Sequence, residues 1–504
     1  MKKVLLYFIG WCLCTGIVSC KDFLEKYPYD SLPQEESFKT ADDFSFHYMG
    51  VYSSMKAPGG FTEGSRIYGD IQCDLFQSVV ASAGMLSGIY NWQFNANDPD
   101  ANSIYDAMWV TIGRLNRIFD NYPAIKNNST EDEIASMEIR LGDLYFIRAF
   151  CYSELVKYYC EAYDPARADE QLGMPIVKTL NHERNLPRNT LKETYDFMYS
   201  DLDSAANRVV RTVNITDVQN VRNLLVGTQA IHALRARLAL YQQNYALAST
   251  EAYTAYEACE QNGLTLAQSR EEYEYMTIGD GLGAEVIMLL GMTPDDVQGS
   301  VGAYFRKSFG TFLQPEFIPS RAFLQMFDDP TNDYRYGIFE RQRLGYTHGL
   351  EWEVCYKDGH SSLLDKSSTN PAYQSMPKLF RMSELVLIIA EAQASMPDGD
   401  LNMANKFLNA LKMCRIEGWN EKTYSKAQIL DEVKKERAKE LCLEGFRLAD
   451  LKRWKMGFLR KPQPYTNAPF NAIEVKSDDP RFTWPIPKHE MDVNPLMKGN
   501  ESNY

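Results

Sequence analysis

The sequence has few of the residues that build metal and disulfide sites. Histidine occurs six times in 504 residues, and no histidine pairs with another histidine or with a cysteine at the spacing of zinc ligands. Ten cysteines are present, but none forms a Cys-x-x-Cys pair, and the seven that follow residue 20 are odd in number. We therefore expect buried free thiols, no structural metal and no cofactor.

Basic residues and long apolar stretches are also scarce. Asp and Glu number 67 against 53 Lys and Arg, for a net charge of -14, and an acidic surface argues against nucleic acid or an anionic membrane face as partner. No stretch after residue 20 approaches the roughly 18 apolar residues of a spanning helix. Aromatic residues are abundant, at 12%, which favours a protein that grips a sugar ring or a partner protein.

The N-terminus carries an export signal. Lys2 and Lys3 precede a short apolar run, and the run ends in Gly-Ile-Val-Ser before Cys20. This pattern is similar to the lipobox of bacterial lipoproteins, where the leader is cleaved and the cysteine is acylated. We expect residues 1–19 to be removed and Cys20 to carry lipid, because two or more acyl chains anchor a protein stably. An ordinary secretory signal is the alternative.

Most of the periodic sequence is helical, so the predicted fold class is mainly α. Thr190 with Glu193 forms a capping box, and the break at 242–244 separates two helices at the spacing of a tetratricopeptide hairpin. Residues 56–103 and 263–377 lack this period, and we expect about four hairpins to carry a large irregular, loop-rich lobe. Helices are predicted over these ranges: 141–159, 190–210, 228–241, 245–259, 381–395 and 401–414.

Several segments, in order along the chain, resemble the RagB/SusD family of nutrient-binding outer-membrane lipoproteins. The C-terminal third carries the resemblance best. The matching segments are these: Cys20–Pro28, Glu36–Phe44, Gly50–Tyr52, Arg114–Asn116, Arg148–Tyr152, Arg188–Thr190, Pro377–Leu385, Glu444–Arg447, Asp450–Trp454 and Trp484–Pro487. Together they extend over nearly all of the chain after Cys20.

The resemblance implies a single SusD-like domain over 20–504. It divides into an N-terminal part (20–230), an irregular ligand-face lobe (263–377) and a C-terminal part (378–504). It also implies a lipid-anchored protein of the cell outer membrane that faces the exterior and performs no catalysis. Such a protein binds oligosaccharides and delivers them to a SusC-like TonB-dependent transporter; a peptide ligand is the alternative, and a surface glycoside hydrolase is a more distant one.

Candidate ligand-binding residues lie in the two irregular stretches. In Tyr-Asn-Trp-Gln-Phe-Asn (90–95) rings alternate with amides, so an extended backbone would place rings on one face for stacking on sugars and amides on the other. Core packing of Trp92 is the alternative, as is a solvated loop for the acidic residues nearby. The candidates are Asp70, Gln72, Asp74, Tyr90, Trp92, Phe94, Asn95, Tyr304 and Trp352.

Two groups of charged residues have both a functional and a structural interpretation. Glu384 and Glu391 lie seven apart on one predicted helix and have the residue type of paired glycosidase acids, but neighbouring alanines favour buried, hydrogen-bonded carboxylates. A second group, Arg437, Glu440, Glu444 and Arg447, is expected to form ion pairs along one helical face.

Overall fold

The fold is known from a computed structural model, which describes residues 37–79, 84–180, 185–306, 308–309, 312–344, 351–367, 372–463 and 473–503. Cys20 and the leader lie outside the described residues. The α-helices are: α1 Ala41–Met55, α2 Gly64–Gln72, α3 Ser87–Tyr90, α4 Pro99–Asn127, α5 Glu131–Tyr159, α6 Leu191–Ala206, α7 Ile215–Gln219, α8 Thr228–Tyr241, α9 Tyr245–Gln261, α10 Arg270–Thr277, α11 Val301–Phe305, α12 Arg321–Leu324, α13 Met382–Ser395, α14 Leu401–Met413, α15 Lys426–Leu441, α16 Arg447–Arg453 and α17 Lys488–Val493.

The described strands are short and pair only as antiparallel two-stranded ribbons, namely β1 with β5, β2 with β8, β3 with β4, β6 with β7 and β9 with β10. Short 3-10 turns cover 334–338, 362–364, 480–482 and 501–503. The strands are: β1 Phe76–Ser78, β2 Val286–Leu289, β3 Ser308–Phe309, β4 Phe312–Leu313, β5 Phe317–Pro319, β6 Phe339–Arg343, β7 Glu351–Cys355, β8 Lys378–Arg381, β9 Phe458–Arg460 and β10 Ile473–Val475.

Stacked helical hairpins form the frame, as the periodicity predicts. Helices α4 and α5 pack on each other, α6 lies against α5, and the hairpins α8/α9 and α13/α14 pack together through α9 and α13. Close approach of α9 to its neighbours depends on small residues, since Ala248, Ala252 and Ala255 are fully buried. Helix α6 begins at Leu191, directly after its N-cap Thr190, and Glu193 completes the predicted capping box.

Three helices, α2, α3 and α4, begin in the irregular N-terminal stretch, and none of them is predicted by the sequence. Helix α4 begins at Pro99 after the cap residue Asp98, whose side chain accepts from the N–H groups of Asp100 and Ala101. Helix α2 has all nine of its residues buried, Asp70 and Gln72 included. Because α2 has only nine residues and includes Gly64 and Gly69, whose helix propensity is low, the sequence analysis assigns it to an irregular stretch.

One core runs through the whole frame, and a smaller one lies in the lobe. The main core takes residues from α1 through to the C-terminal segment. The smaller core consists of Val79, Ile318, Leu344 and Val354. The segment that contains Trp484 is a buried strap, because its indole is fully buried and donates from Nε1 to Oε1 of Gln72 at 2.8 Å.

Charged side chains fill the junction between the lobe and the frame. The guanidinium of Arg381 donates to Glu285 at 2.6 Å and to Glu440 at 2.9 Å, and Arg415 donates to the same two carboxylates. All four side chains are at most 1% exposed. Such pairs are costly to break, because either partner left alone would be a buried, uncompensated charge.

The predicted ion pairs along one helical face are wrong in their partners. Helix α15 ends at Leu441, so Glu444 and Arg447 lie beyond it. The buried side chains pair instead with partners from other elements: Arg437 with Asp450, Glu440 with Arg415, Glu444 with Arg381 and Arg447 with Asp74. The role of these charges is structural, as the sequence analysis favours, but they join distant segments.

The cysteines after residue 20 are free thiols, and six of the seven are buried. In the described part of the chain, no group of three or more His, Cys, Asp or Glu side chains converges as metal ligands would. None of the helices described above is both long and apolar enough to cross a bilayer.

Candidate functional site

The smaller core supports two half-buried aromatic rings on the outside of the lobe. Trp352 and Val354 lie on the same side of β7, since side chains alternate along a strand, and Tyr356 follows just after the strand ends. Trp352 and Tyr356 both pack against the core formed by Val79, Ile318, Leu344 and Val354. Strand β7 is held in place by β6, with Gln342 opposite Trp352. We call Trp352, Tyr356, Arg321 and Arg306 the outer face of the lobe.

Each of the two rings has an arginine beside it. The Arg321 guanidinium lies 5.4 Å from the centre of the Trp352 ring, and that of Arg306 lies 4.8 Å from the centre of the Tyr356 ring. Burial beside Glu340 raises the pKa of the Tyr356 phenol to about 12, so the hydroxyl stays a donor at neutral pH. Rings with adjacent fixed donors suit ligands that combine apolar faces with hydroxyl groups.

The Trp352 indole N–H is without a hydrogen-bond acceptor among the described residues. A buried N–H without an acceptor costs on the order of 1–3 kcal/mol, and because Nε1 is shielded from solvent, a ligand acceptor would reach it only if neighbouring side chains moved. Among the predicted candidates the Tyr90 hydroxyl also lacks a partner within the described residues, but Tyr90 is 2% exposed whereas Trp352 is half-buried.

The predicted row of stacking rings at residues 90–94 is wrong. The segment is not a continuous strand: it starts at the last residue of α3, and Trp92 has a backbone φ of 57°, in the left-handed region. Tyr90 and Trp92 are 2% exposed and Phe94 is 5% exposed. Rings and amides do lie on opposite sides, since Asn91, Gln93 and Asn95 are exposed, but the ring side faces inward and all three rings pack into the main core.

Buried polar groups hold this aromatic segment from below. The Trp92 indole donates from Nε1 to the backbone oxygen of Gln72 at 2.7 Å. Arg460 donates from Nη2 to the same oxygen at 2.8 Å and to the backbone oxygen of Tyr90 at 2.6 Å. Its guanidinium also lies 4.1 Å from the centre of the Tyr90 ring. The segment is thus a packed layer beneath the surface, which we call the aromatic layer.

Asp70 and Asp74, which the sequence analysis predicts as ligand contacts, have structural roles instead. Asp70 is fully buried and accepts from the backbone N–H of Leu443 at 2.5 Å and of Arg447 at 3.1 Å. Burial raises its pKa to about 7, against the opposing effect of the two donors. Asp74 pairs with the guanidinium of Arg447 at 2.7 Å; although burial opposes ionisation, that guanidinium lowers the pKa of Asp74.

Three candidates remain, and none has the environment of the outer face. Gln72 is fully buried and bonds to Trp484. Tyr304 is 4% exposed and donates its hydroxyl to Oε1 of Glu63 at 2.7 Å. Asn95 is exposed, and its side-chain oxygen accepts from the backbone N–H of Asn97 at 2.9 Å, as in a turn.

The two glutamates considered as glycosidase acids are each neutralised by an arginine. Glu384 forms a two-bond pair with Arg237 at 2.7 Å, and Glu391 accepts from Arg453 and from the indole of Trp454. Both glutamates are at most 3% exposed. They lack the open cleft that a scissile glycosidic bond would occupy, and their role is to fix α13 to its neighbours.

The sequence analysis missed three residues of the outer face: Tyr356, Arg306 and Arg321. A signal for Tyr356 was available, because Trp352, Val354 and Tyr356 occupy alternate positions, which is the period of a strand. No sequence signal marks the arginines, since each reaches its ring from a different element of the lobe.

Family models match both ends of the chain. A model described as the SusD family matches residues 351–504, and one described as "Starch-binding associating with outer membrane" matches residues 22–238. The protein called SusD-like protein P38 of Formosa agariphila is 20% identical over 99% of both chains. A second protein of that organism, SusD-like protein P25, is 27% identical over 32% of this chain and 31% of its own.

Solved structures share the fold. A putative sugar binding protein from Bacteroides vulgatus aligns with a TM-score of 0.76 at 24% identity, over 93% of this chain and all of its own. A SusD superfamily protein from Bacteroides thetaiotaomicron aligns with a TM-score of 0.77 at 21% identity, over 92% of this chain and 99% of its own. At these identities the likeness establishes the fold alone.

A tetratricopeptide-like helical frame that carries an irregular lobe defines the class of SusD-like folds, which is the class of this chain. The family models at both ends and the full-length relative agree with that class, and the chain belongs to the SusD/RagB family.

Proposed function

We propose that this protein is a lipid-anchored protein of the cell outer membrane, facing the exterior, that binds oligosaccharides and delivers them to a SusC-like TonB-dependent transporter. The outer face of the lobe carries the proposal. Its two half-buried rings, on one side of β7, have arginines beside them and an indole N–H that lacks an acceptor among the described residues. Rings stack on the apolar faces of sugars while donors bond to the hydroxyls.

The comparisons support the same class of ligand. A model that matches the N-terminal part is described as starch-binding and associated with the outer membrane, and one structural neighbour is called a putative sugar binding protein. Glu384 and Glu391 are each paired with an arginine, which favours a binding role over hydrolysis.

The test of sugar binding is a glycan array followed by titration calorimetry with each sugar that binds. The purified protein is compared with a Trp352→Ala/Tyr356→Ala variant, and we expect the variant to lose about 10-fold or more in affinity, since each ring contributes on the order of 0.5–1.5 kcal/mol. Tyr275→Ala is the matched control, because Tyr275 is 51% exposed and lies on α10. Binding to a peptide array and to no glycan would favour the peptide alternative.

Lipid anchoring rests on the residues around Cys20, which lie outside the described part of the chain. Replacing Cys20 with Ala should move the protein from the membrane fraction to the soluble fraction, because two or three acyl chains are then lost. Full membrane association of that variant would reject the anchor. Protease treatment of intact cells tests whether the protein faces the exterior.

Delivery requires a separate channel, because a lipid-tethered binding protein does not itself carry cargo through a bilayer. Affinity purification from detergent-solubilised membranes should therefore recover this chain together with a large β-barrel protein. Recovery of the chain alone, in detergent that preserves comparable complexes, would reject the transporter partner.

A further inference from the structure

A groove of about 990 Å³ lies on the helical frame, and none of its lining residues belongs to the lobe. Its walls come from the segment after α5 (161–172), the end of α16 (452–455) and two C-terminal segments (477–483 and 499–501). Ligand pockets typically have volumes of about 300–1,000 Å³. The groove is therefore large enough for several linked sugar units.

The walls of the groove are pinned by side-chain bonds to backbone oxygens. Lys452 donates from Nζ to the oxygens of Lys157 at 2.6 Å and Cys160 at 2.7 Å, which caps the end of α5. Gln243 donates from Nε2 to the oxygen of Tyr163 at 2.9 Å. Because the walls are held in this way before any ligand is present, binding would not incur the entropy cost of ordering them.

Two half-buried aromatic residues, Tyr163 and Trp454, line the groove. The Trp454 ring is fixed, since its Nε1 donates to Glu391 at 2.8 Å and the Arg453 guanidinium lies 4.6 Å from the ring centre. The Tyr163 ring lies edge-on to that of Tyr195, with 5.0 Å between the ring centres. Fixed rings give stacking surfaces at low entropic cost.

Unpaired charges of both signs line the groove. The exposed Lys455 lies on the α16 wall, whereas Glu170, Asp478 and Glu501 lie on the others, and none of these four has an ion partner within the described residues. Carboxylates accept hydrogen bonds and an ammonium group donates them. A neutral ligand whose hydroxyls both donate and accept satisfies both walls, whereas an anion would meet the excess of carboxylates.

We propose that this groove is a second oligosaccharide-binding site, specific for neutral sugars that stack on Trp454 and Tyr163 and bond to Asp478, Glu501 and Lys455. The proposal rests on the proposed function and extends it to the helical frame. A smaller trough of about 530 Å³ shares Ser477 and Asp478 with the groove, so a longer chain has room to continue along the β9/β10 ribbon.

The experiment isolates the groove in a protein that lacks the outer face. In the full chain with Trp352→Ala/Tyr356→Ala, calorimetry measures the residual binding of maltoheptaose, xylohexaose and mannohexaose. Adding Trp454→Leu, or Asp478→Asn with Glu501→Gln, should weaken that binding by about 3-fold to 10-fold each. Asp398→Asn with Glu421→Gln is the matched control, because both residues are exposed and away from the groove.

The acidic pair keeps the test valid where Trp454→Leu alters folding, since both side chains are on the surface. Residual binding that both groove variants leave unchanged would overturn the proposal. Binding by the unmodified protein that disappears in the outer-face variant would reject the groove and leave the proposed function standing. Failure of the unmodified protein to bind any sugar on the array would reject both.

Discussion

The aromatic layer and the outer face of the lobe have similar composition and opposite environments. In the aromatic layer Trp92 is 2% exposed and its indole N–H has an acceptor at 2.7 Å. On the outer face Trp352 is half-buried, and its N–H lacks an acceptor among the described residues. Both tryptophans lie in parts of the sequence that lack helical periodicity.

The difference between the two shows what separates a packing tryptophan from a candidate ligand-binding one. Both segments are rich in aromatic residues, so composition alone does not distinguish them. What differs is whether the polar edge of the ring is satisfied by the protein, and whether one ring face is left open to solvent. Hydrogen bonding of the indole is therefore the more informative property, and it is visible only in the folded chain.

The largest effect is expected in the aromatic layer. Trp92→Ala should lower the free energy of unfolding by about 3–5 kcal/mol, because a fully buried ring leaves a cavity between Phe458 and Phe482. Urea unfolding at constant slope measures the loss. Trp92→Phe, which keeps most of the volume, should lose less than half as much. A stable Trp92→Ala protein with weakened sugar binding would place Trp92 with the outer face instead.

The next largest effect is expected at the junction between lobe and frame. Asp358 is buried between Lys378 and Arg66, and Arg66 donates to it from Nη2 at 2.6 Å. Replacement by Asn should cost about 3 kcal/mol, because two buried cations lose their counter-ion. Equilibrium unfolding at pH 7 measures that cost. Glu421→Gln, at an exposed position, serves as the control.

The same carboxylate predicts a pH dependence of stability. Although burial opposes ionisation, the Lys378 ammonium and the Arg66 guanidinium lower the pKa of Asp358 to about 2. A lowered pKa in the folded state contributes stability that is present above the unfolded pKa, near 4, and is lost as the pH falls towards 2. The difference in unfolding free energy between wild type and Asp358→Asn should shrink by about 2 kcal/mol over that range. A constant difference from pH 5 to pH 2 would contradict it.

A smaller effect on stability is expected on the outer face. Trp352→Ala should change the free energy of unfolding by about 1 kcal/mol or less, because the ring is half-buried and its N–H gains no bond from the protein. The affinity of the Trp352→Ala protein for sugar should nevertheless fall several-fold. Thermal unfolding and calorimetry on one sample separate the two effects. A stability loss as large as that of Trp92→Ala would remove the distinction between the two regions.

The smallest effect is expected at Asn95, which is exposed and bonds only to the turn that contains it. Asn95→Ala should change stability by less than about 0.5 kcal/mol and leave sugar affinity unchanged. The same unfolding and calorimetry protocol checks both values. A clear loss of affinity would extend the ligand surface from the outer face to residue 95.

Prediction from sequence succeeded where clear breaks bound long runs of good helix formers. The hairpins α8/α9 and α13/α14, and the cap of α6 at Thr190, follow from patterns within about 20 residues. It failed for α2, which has only nine residues and includes Gly64 and Gly69, whose helix propensity is low. The candidate site was harder to predict: six of the nine predicted ligand residues are buried, Asp74 is paired with Arg447, and Asn95 is exposed but bonded within a turn. Trp352 is half-buried.

Helical period, capping residues and short motifs are local properties of the chain, so they were enough to predict the mainly helical frame, an irregular lobe and the resemblance to the SusD/RagB family. Only the folded chain shows which aromatic residues face solvent, which arginine meets which carboxylate and where the groove on the frame lies. Arg447 pairs with Asp74 and Arg460 holds Tyr90, across hundreds of residues. Such contacts depend on how distant elements pack, and no local pattern records that packing.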